Sequence, residues 1–151
     1  MSIKTSNNPL LVSVFFIGLI LFFSSCNTYI IPVDTFKEQL SKMNESNMRE
    51  VTAQGPMGDR VKYMTYDIDN LSAIDKNGNA ITIPNSPAIE IRFTDSADKR
   101  TVFYFDLMRF DGTNITGRQS RFMNNFVKSI PVSSIRKIEI QNSKKSFRYV
   151  E

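Results

Sequence analysis

The chain has no histidine, and Cys26 is its only cysteine. Without histidine there is no Ser-His-Asp triad, no Cys-His pair and no histidine-ligated zinc site. A single cysteine excludes an internal disulfide, and a lipidated cysteine would no longer be a reactive thiol. Catalysis would have to rely on carboxylates, lysine, tyrosine and serine. The composition therefore predicts a protein that is not an enzyme.

No charged residue lies between Lys4 and Asp34. Within this stretch, residues 9–23 form a fifteen-residue apolar run that is interrupted only by Ser13 and Gly18. As a helix with a rise of about 1.5 Å per residue, the run would span roughly 22 Å, less than the ~30 Å hydrocarbon core of a bilayer. Two serines and then Cys26 follow the run. A short charged start, an apolar run and small residues are typical of a secretory signal peptide.

The tetrapeptide Phe23-Ser24-Ser25-Cys26 resembles a lipobox, the site at which bacterial lipoproteins are diacylated and cleaved. The usual first residue is leucine, and here Phe23 occupies that position. The resemblance implies that residues 1–25 are a signal peptide and that Cys26 becomes the lipid-bearing first residue. An uncleaved membrane anchor is the alternative. The covalent lipid on Cys26 is the only cofactor that we expect.

Two or three acyl chains anchor a protein durably, because each buried CH₂ contributes about 0.8 kcal/mol. The expected partners are therefore a membrane, reached through Cys26, and an envelope protein. The residues directly after Cys26 carry no acidic run. We therefore expect the periplasmic face of the outer membrane as the location. Because the chain is expected to be exported, we predict no nucleic-acid partner.

The remaining chain predicts a tether over residues 26–33 and a single β-rich domain over residues 34–151. Asp34 or Thr35 is expected to cap a helix of about ten residues that begins at Phe36, either as a lid on the sheet or as a spacer. Residues 44–60 are polar and contain Gly55, Pro56 and Gly58, which indicates a mobile segment.

From residue 61 onward the apolar pattern has a period of two, which is typical of strands. Ile89, Ile91 and Phe93 alternate with polar neighbours, and Asn77-Gly78 is a strong hairpin signal. Residues 102–108 are apolar on both faces, which favours a central covered strand.

Short strands joined by polar turns predict a mainly β (α+β) fold, namely a curled antiparallel meander or small half-open barrel with one short N-terminal helix. Residues 118–123 and 126–130 are interpreted as two strands about an Asn124-Asn125 turn, with a helix as the alternative.

From Pro87 to the end the chain is similar to a family of small bacterial lipoproteins of unknown function. The segments that carry the similarity are Ile89-Glu90-Ile91-Arg92, Tyr104-Phe105-Asp106, Gly117, Ser120-Arg121-Phe122, Ile130-Pro131 and Lys137-Ile138-Glu139-Ile140-Gln141. The resemblance implies a curled sheet of barrel type and no particular activity.

Residues 109–151 carry nine basic and three acidic side chains, so this third of the chain could face anionic lipid headgroups. A solvated strand face rich in lysine and arginine is the simpler interpretation. Arg92, Arg118 and Arg121 are candidates for contact with an anionic partner. Surface ion pairs are the alternative, and they would join Glu90, Arg92, Lys137 and Glu139 across two strands.

Two carboxylate pairs, Asp67 with Asp69 and Asp106 with Asp111, have the residue types of an acid and a base in glycoside hydrolysis. Acidic residues beside turns have the same pattern. Residues 67–79 are rich in the oxygen ligands that Ca²⁺ prefers, but a hairpin turn explains them as well. We therefore predict no catalytic residues and no metal site.

The composition and the signal peptide together predict a non-enzymatic binding or structural role in the cell envelope. The alternative is a small-ligand carrier with an apolar pocket in the curled sheet, lined by Phe103, Phe105, Phe122 and Phe126. A pocket of about 300 Å³ or more would favour the carrier, and a filled core would favour the contact role.

Overall fold

The computed structural model describes residues 28–123, 125–142 and 145–151. The described chain contains one α-helix, α1 (Val33–Ser41), and twelve strands. The strands are β1 (Thr28–Ile31), β2 (Met48–Gln54), β3 (Arg60–Tyr66), β4 (Asn70–Ile74), β5 (Ala80–Pro84), β6 (Ile89–Asp95), β7 (Arg100–Tyr104), β8 (Arg109–Phe110), β9 (Asn114–Arg118), β10 (Val127–Pro131), β11 (Ile135–Asn142) and β12 (Arg148–Val150). Short 3-10 helices cover Glu45–Asn47, Phe105–Leu107 and Val132–Ser134.

All strand pairs in the described chain are antiparallel, and the strands form three sheets. The large sheet has the order β5-β4-β1-β11-β6-β7, the hairpin sheet has the order β10-β9-β8, and the terminal sheet has the order β12-β2-β3. The mainly β fold with antiparallel strands and one short N-terminal helix is confirmed. None of the helices in the described part of the chain has the length and apolar character to cross a membrane.

The tether predicted over residues 26–33 is wrong for residues 28–31, because these residues form β1. Strand β1 lies inside the large sheet, where Tyr29 pairs with Ile140 of β11 and Ile30 pairs with Ile74 of β4. Its sequence, Thr-Tyr-Ile-Ile, consists of residues that favour strands. Ile31 is buried in the core. The folded domain therefore includes residues up to two positions from Cys26.

The core lies on one face of the large sheet, and the predicted alternation explains it. Ile89, Ile91 and Phe93 of β6 are fully buried, as are Ile138 and Ile140 of β11. These side chains point the same way because successive strand residues alternate between faces. The Asn77-Gly78 hairpin is also confirmed: it joins β4 to β5, and Gly78 has the positive φ of 86° that this turn requires.

Helix α1 covers this core as the predicted lid. Phe36 and Leu40 are buried, and the Phe36 ring lies 5.6 Å from the Phe93 ring. The Gln39 side chain bonds both the backbone N–H and the carbonyl of Ser72 in β4, at 3.0 and 3.2 Å. These contacts hold the helix against the large sheet.

The predicted helix start at Phe36 is wrong, because the helix begins at Val33 after Pro32. Pro32 is the N-cap residue, with an extended ψ of 137°. Its backbone carbonyl accepts the hydrogen bond of Phe36 N–H at 2.9 Å, and no side chain caps the helix. The mobile segment predicted over residues 44–60 is also wrong. Strand β2 occupies residues 48–54 and pairs along its whole length with β3.

The central covered strand predicted over residues 102–108 differs from the structure. Strand β7 lies at an edge of the large sheet and ends at Tyr104. The hairpin sheet packs over β7, with Gly117 of β9 directly against Phe103. This packing explains why β7 has apolar residues on both faces. The strand predicted over residues 118–123 is wrong, because β9 ends at Arg118 and residues 119–123 are not in a strand. The strand predicted over residues 126–130 corresponds to β10, which pairs antiparallel with β9.

Candidate functional site

A buried ion pair lies where the three sheets meet. Asp106, in the 3-10 turn after β7, has a fully buried side chain, and the Arg121 side chain is 6% exposed. Arg121 Nη2 lies 2.6 Å from Asp106 Oδ1. The same Nη2 atom also donates to the carbonyl of Pro87, which stands just before β6. Each charge is therefore neutralised and hydrogen-bonded, which a buried charge requires.

Two tyrosines of the terminal sheet complete this group, which we call the Arg121 cluster (Tyr63, Asp106, Arg121 and Tyr149). Both hydroxyls donate to Asp106 Oδ2, that of Tyr149 at 3.3 Å, and Arg121 Nη1 donates to the Tyr63 oxygen at 3.1 Å. The strand register places both tyrosines on one face of the terminal sheet. The cluster therefore joins the terminal sheet to the loop that follows β9.

The pKa shifts of the cluster keep it in one protonation state at neutral pH. Burial raises the pKa of Tyr63 and of Tyr149, and the nearby Asp106 carboxylate raises both pKa values further. Burial acts to lower the pKa of Arg121, but the charge and hydrogen bonds of Asp106 and Tyr63 outweigh it and raise that pKa. Both phenols therefore stay protonated as donors, and the guanidinium stays charged.

Aromatic rings enclose the Arg121 guanidinium. Its central carbon lies 4.3 Å from the centre of the Tyr104 ring and 5.2 Å from that of Phe147. Cation–π contacts of this kind are stronger where water is excluded. The cluster and its rings thus fix the start of the loop over residues 119–126, which connects β9 to β10.

Large apolar side chains are exposed on two neighbouring hairpins. Eight such side chains are exposed among the described residues, and all but Ile30 lie on the β2–β3 and β9–β10 hairpins. The seven are Met57, Val61 and Met64 on the first hairpin and Phe122, Met123, Phe126 and Val127 on the second. Met57 is 96% exposed and Phe122 66% exposed. An exposed apolar concentration of this kind is typical of an interaction surface.

The two hairpins face each other across narrow clefts. Val61 and Phe122 line one cleft, and Met64 and Val127 line the adjoining groove. The first holds a cavity of about 20 Å³ and the second about 170 Å³. Wider hollows of about 330 and 460 Å³ lie open along β2 and β12. The cleft that contains Phe122 is thus far smaller than the ~300 Å³ typical of ligand pockets.

The four phenylalanines predicted to line one pocket do not do so. Phe103 and Phe105 are buried in the core, at 0% and 4% exposure, whereas Phe122 and Phe126 are 66% and 53% exposed. Phe103 packs against Phe93 with a ring distance of 5.8 Å. The expectation fails because Phe103 lies under the hairpin sheet, while Phe122 and Phe126 lie on the loop beyond it.

The three arginines predicted to contact an anionic partner have separate environments. Arg121 is buried against Asp106, so it is not available to a partner. Arg92 lies 3.8 Å from Glu139 across β6 and β11, and Lys137 lies 2.9 Å from the same carboxylate. Only the Arg92–Glu139 contact is a predicted cross-strand ion pair, because Lys137 and Glu139 both lie on β11 and Glu90 pairs with Lys145 instead. Arg118 lies between the two clefts and makes its own contacts.

The candidate carboxylate pairs serve as ion-pair partners and turn residues. Arg49 contacts Asp67 at 2.8 Å and Asp69 at 3.0 Å. Asp111 accepts two backbone N–H bonds within its own turn, at 2.6 and 2.8 Å, while Asp106 belongs to the Arg121 cluster. The two members of the second pair therefore do not converge on one cleft.

Within the oxygen-rich residues 67–79, residues 75–79 form the hairpin turn between β4 and β5. Asp75 Oδ1 accepts from the backbone N–H groups of Asn77 and Asn79, and these bonds lower the pKa of Asp75. Across the described residues, no group of three or more acidic, cysteine or histidine side chains is placed to hold a metal ion. Cys26, the predicted lipidation site, lies outside the described residues.

Sequence reasoning did not find the Arg121 cluster or the exposed Met57. Tyr63, Asp106, Arg121 and Tyr149 are far apart in the chain, so no local spacing marks them as a group. Tyr104, Asp106 and Arg121 fall within the segments from which a family resemblance was predicted, and those segments were the one available signal. No family model, curated protein or solved structure matches the chain.

Proposed function

We propose that the chain is an exported lipoprotein, held on a membrane of the bacterial cell envelope through lipid on Cys26. Its domain has a non-enzymatic role there, as a binding or structural component that contacts another part of the envelope. The proposed location is the periplasmic face of the outer membrane, in keeping with the absence of an acidic run after Cys26.

The observation that carries the proposal is the position of β1 relative to the lipobox. Strand β1 begins at Thr28, two residues after Cys26, and lies inside the large sheet. Cleavage before Cys26 would remove none of the strands that the structure describes, so the domain can keep these strands after processing. The lipid would be attached directly beside the folded sheet.

The packing of the domain supports a contact role over ligand carriage. Phe103, Ile91 and Ile140 are all at 0% exposure and fill the face of the large sheet. The nearby cleft at Phe122 has a cavity of only about 20 Å³. A protein whose apolar side chains fill its core and also cover two exposed hairpins is suited to contact with another surface.

Metabolic labelling with a fatty-acid analogue tests the proposal in a bacterium that makes the protein. We expect the wild type to carry the label and to sediment with membranes, and Cys26→Ser to carry no label and to keep its leader. Phe23→Leu restores the usual lipobox residue and serves as a matched control, which should be processed at least as fast as the wild type. Equal labelling of wild type and Cys26→Ser would contradict the proposal.

A further inference from the structure

The start of β1 limits how far the domain can lie from a lipidated Cys26. Two residue steps separate Cys26 from Thr28, and an extended chain covers at most about 3.6 Å per residue, or about 7 Å here. The headgroup layer on each side of a bilayer is roughly 5–8 Å thick. A lipid on Cys26 therefore keeps the Thr28 end of the large sheet at the level of the headgroups.

The same end of the large sheet leads to the exposed hairpins. Thr28 pairs with Gln141, Gln141 with Glu90 and Glu90 with Tyr104, so these four residues form one row across four strands. At about 4.8 Å per strand, the row spans about 14 Å. Tyr104 is the last residue of β7 and contacts Arg121 through its ring.

Ring contacts continue from Tyr104 to the loop that connects β9 and β10. The Tyr104 ring lies 6.3 Å from Phe147, and the Phe147 ring lies 6.1 Å from Phe122. Gly55 and Asp59, which flank Met57 in the β2–β3 turn, line the same cleft as Phe122 and Phe147. Both exposed turns are therefore at the end of the domain where β1 starts.

We propose that these two turns enter the membrane surface that carries the Cys26 lipid. The inserting side chains, which we call the apolar tips, are Met57, Phe122, Met123 and Phe126. This inference rests on the proposed function, since it is the lipid that brings this end of the domain to the bilayer. The tips would supply a second attachment and would fix the orientation of the domain.

Lipid is the favoured contact of the apolar tips for two reasons, which are the position of the start of β1 and the charge of the neighbouring side chains. The first described residue, Thr28, lies in the same row of the large sheet as Tyr104, which leads to this surface. Arg60 and Arg148 are exposed on the strands next to the β2–β3 turn, and Arg148 bonds the neutral side chain of Gln54 at 3.0 Å. Apolar side chains with flanking cations are typical of proteins that lie in a membrane interface.

The absence of tryptophan from the chain provides a clean experiment, because one introduced tryptophan is a unique reporter. The full lipidated protein is reconstituted into vesicles of phosphatidylcholine and phosphatidylglycerol with brominated acyl chains. Phe122→Trp and Met57→Trp place the reporter on the two apolar tips. Lys99→Trp is the matched control, because Lys99 is exposed in the β6–β7 turn at the opposite end of β7.

We expect tryptophan at residue 122 or 57 to lose most of its emission to bromine and to shift to the blue. Tryptophan at residue 99 should keep its emission. Intact mass of the same samples separates the two claims. A protein without lipid on Cys26 overturns both the proposed function and this inference.

Lipid on Cys26 with equally weak quenching at residues 122, 57 and 99 overturns the inference alone. A blue shift at residue 122 without bromine quenching means that protein covers the surface instead. If sedimentation then shows concentration-dependent dimers, the occupant is a second copy of the chain, and the inference is likewise overturned.

Discussion

Replacing Asp106 by asparagine should greatly destabilise the domain. Asparagine keeps the shape of the side chain but removes the charge that neutralises Arg121, which is itself only 6% exposed. Removing one partner of a buried ion pair costs about 3–5 kcal/mol, because the other charge stays buried without compensation. Domains of this size have a total free energy of unfolding of about 5–15 kcal/mol. The substitution should therefore remove at least about a fifth of the stability, and all of it in a domain at the low end of that range.

Urea unfolding of the soluble domain, made from residue 26 with Cys26→Ser, measures this loss. With a slope near 2 kcal/mol per molar urea, a loss of about 4 kcal/mol lowers the midpoint by about 2 M. Glu50→Gln is the matched control, since Glu50 pairs with Lys62 at 2.7 Å with both side chains more than half exposed. An exposed pair of this kind contributes at most about 1 kcal/mol.

The reasoning would be refuted if Asp106→Asn lowered the midpoint no more than Glu50→Gln does. Tyr63→Phe and Tyr149→Phe divide the effect further. Each removes one hydroxyl donor to Asp106 while leaving the ion pair intact. We expect each to cost about 1.5–3 kcal/mol, as for a single hydrogen bond to a charged group.

Three further predictions concern close packing and pH. Gly117→Ala should destabilise the domain by about 1–3 kcal/mol in urea unfolding, because the new Cβ would lie 2.7 Å from Phe103 Cδ2; an unchanged midpoint would contradict the packing. The raised pKa values of Tyr63 and Tyr149 mean that their contribution is complete below pH 10 and is lost as the pH rises above it. Absorbance at 295 nm should therefore show that Tyr63 and Tyr149 ionise only as the domain unfolds. The lowered pKa of Asp75 means that its contribution is present above pH 3.8 and is lost as the pH falls below it. Asp75→Ala should reduce the acid dependence of stability, and an unchanged dependence would count against the turn's role.

Strands of the large sheet could be predicted from the sequence where one face of the strand is buried and the other is polar. The alternation of Ile89, Ile91 and Phe93 with polar residues follows directly from the two-residue period of a strand. The Asn77-Gly78 turn was predictable because its backbone requires positive φ, which glycine supplies. These features are local, so a short stretch of sequence contains them.

Strand β1 was not predictable for a physical reason. Its four residues closely follow the segment predicted to be a signal peptide, and they are too few to show a clear alternation. Its place in the large sheet depends on pairing with β11, more than 100 residues away in the chain. A pairing at that separation leaves no trace in the local pattern, although the strand-favouring residues Thr28, Tyr29, Ile30 and Ile31 are consistent with it.

The Arg121 cluster depends on contacts that are equally distant in the chain. Tyr63 and Asp106 are 43 residues apart, as are Asp106 and Tyr149. On sequence alone, Asp106 is a candidate acid and Arg121 a candidate for contact with an anionic partner, because the local pattern does not show that the two residues pair. Burial at the junction of three sheets changes both assignments. The exposed apolar tips likewise became evident only when the two hairpins were placed side by side.

The intact mass of the protein extracted from membranes tests the central claim most directly. We predict a mass equal to the chain from Cys26 plus a diacylglyceryl group and one further acyl chain. The Cys26→Ser variant should retain residues 1–25. A wild-type protein that retains residues 1–25 and carries no lipid would contradict the account. Residues 9–23 would then act as the membrane anchor.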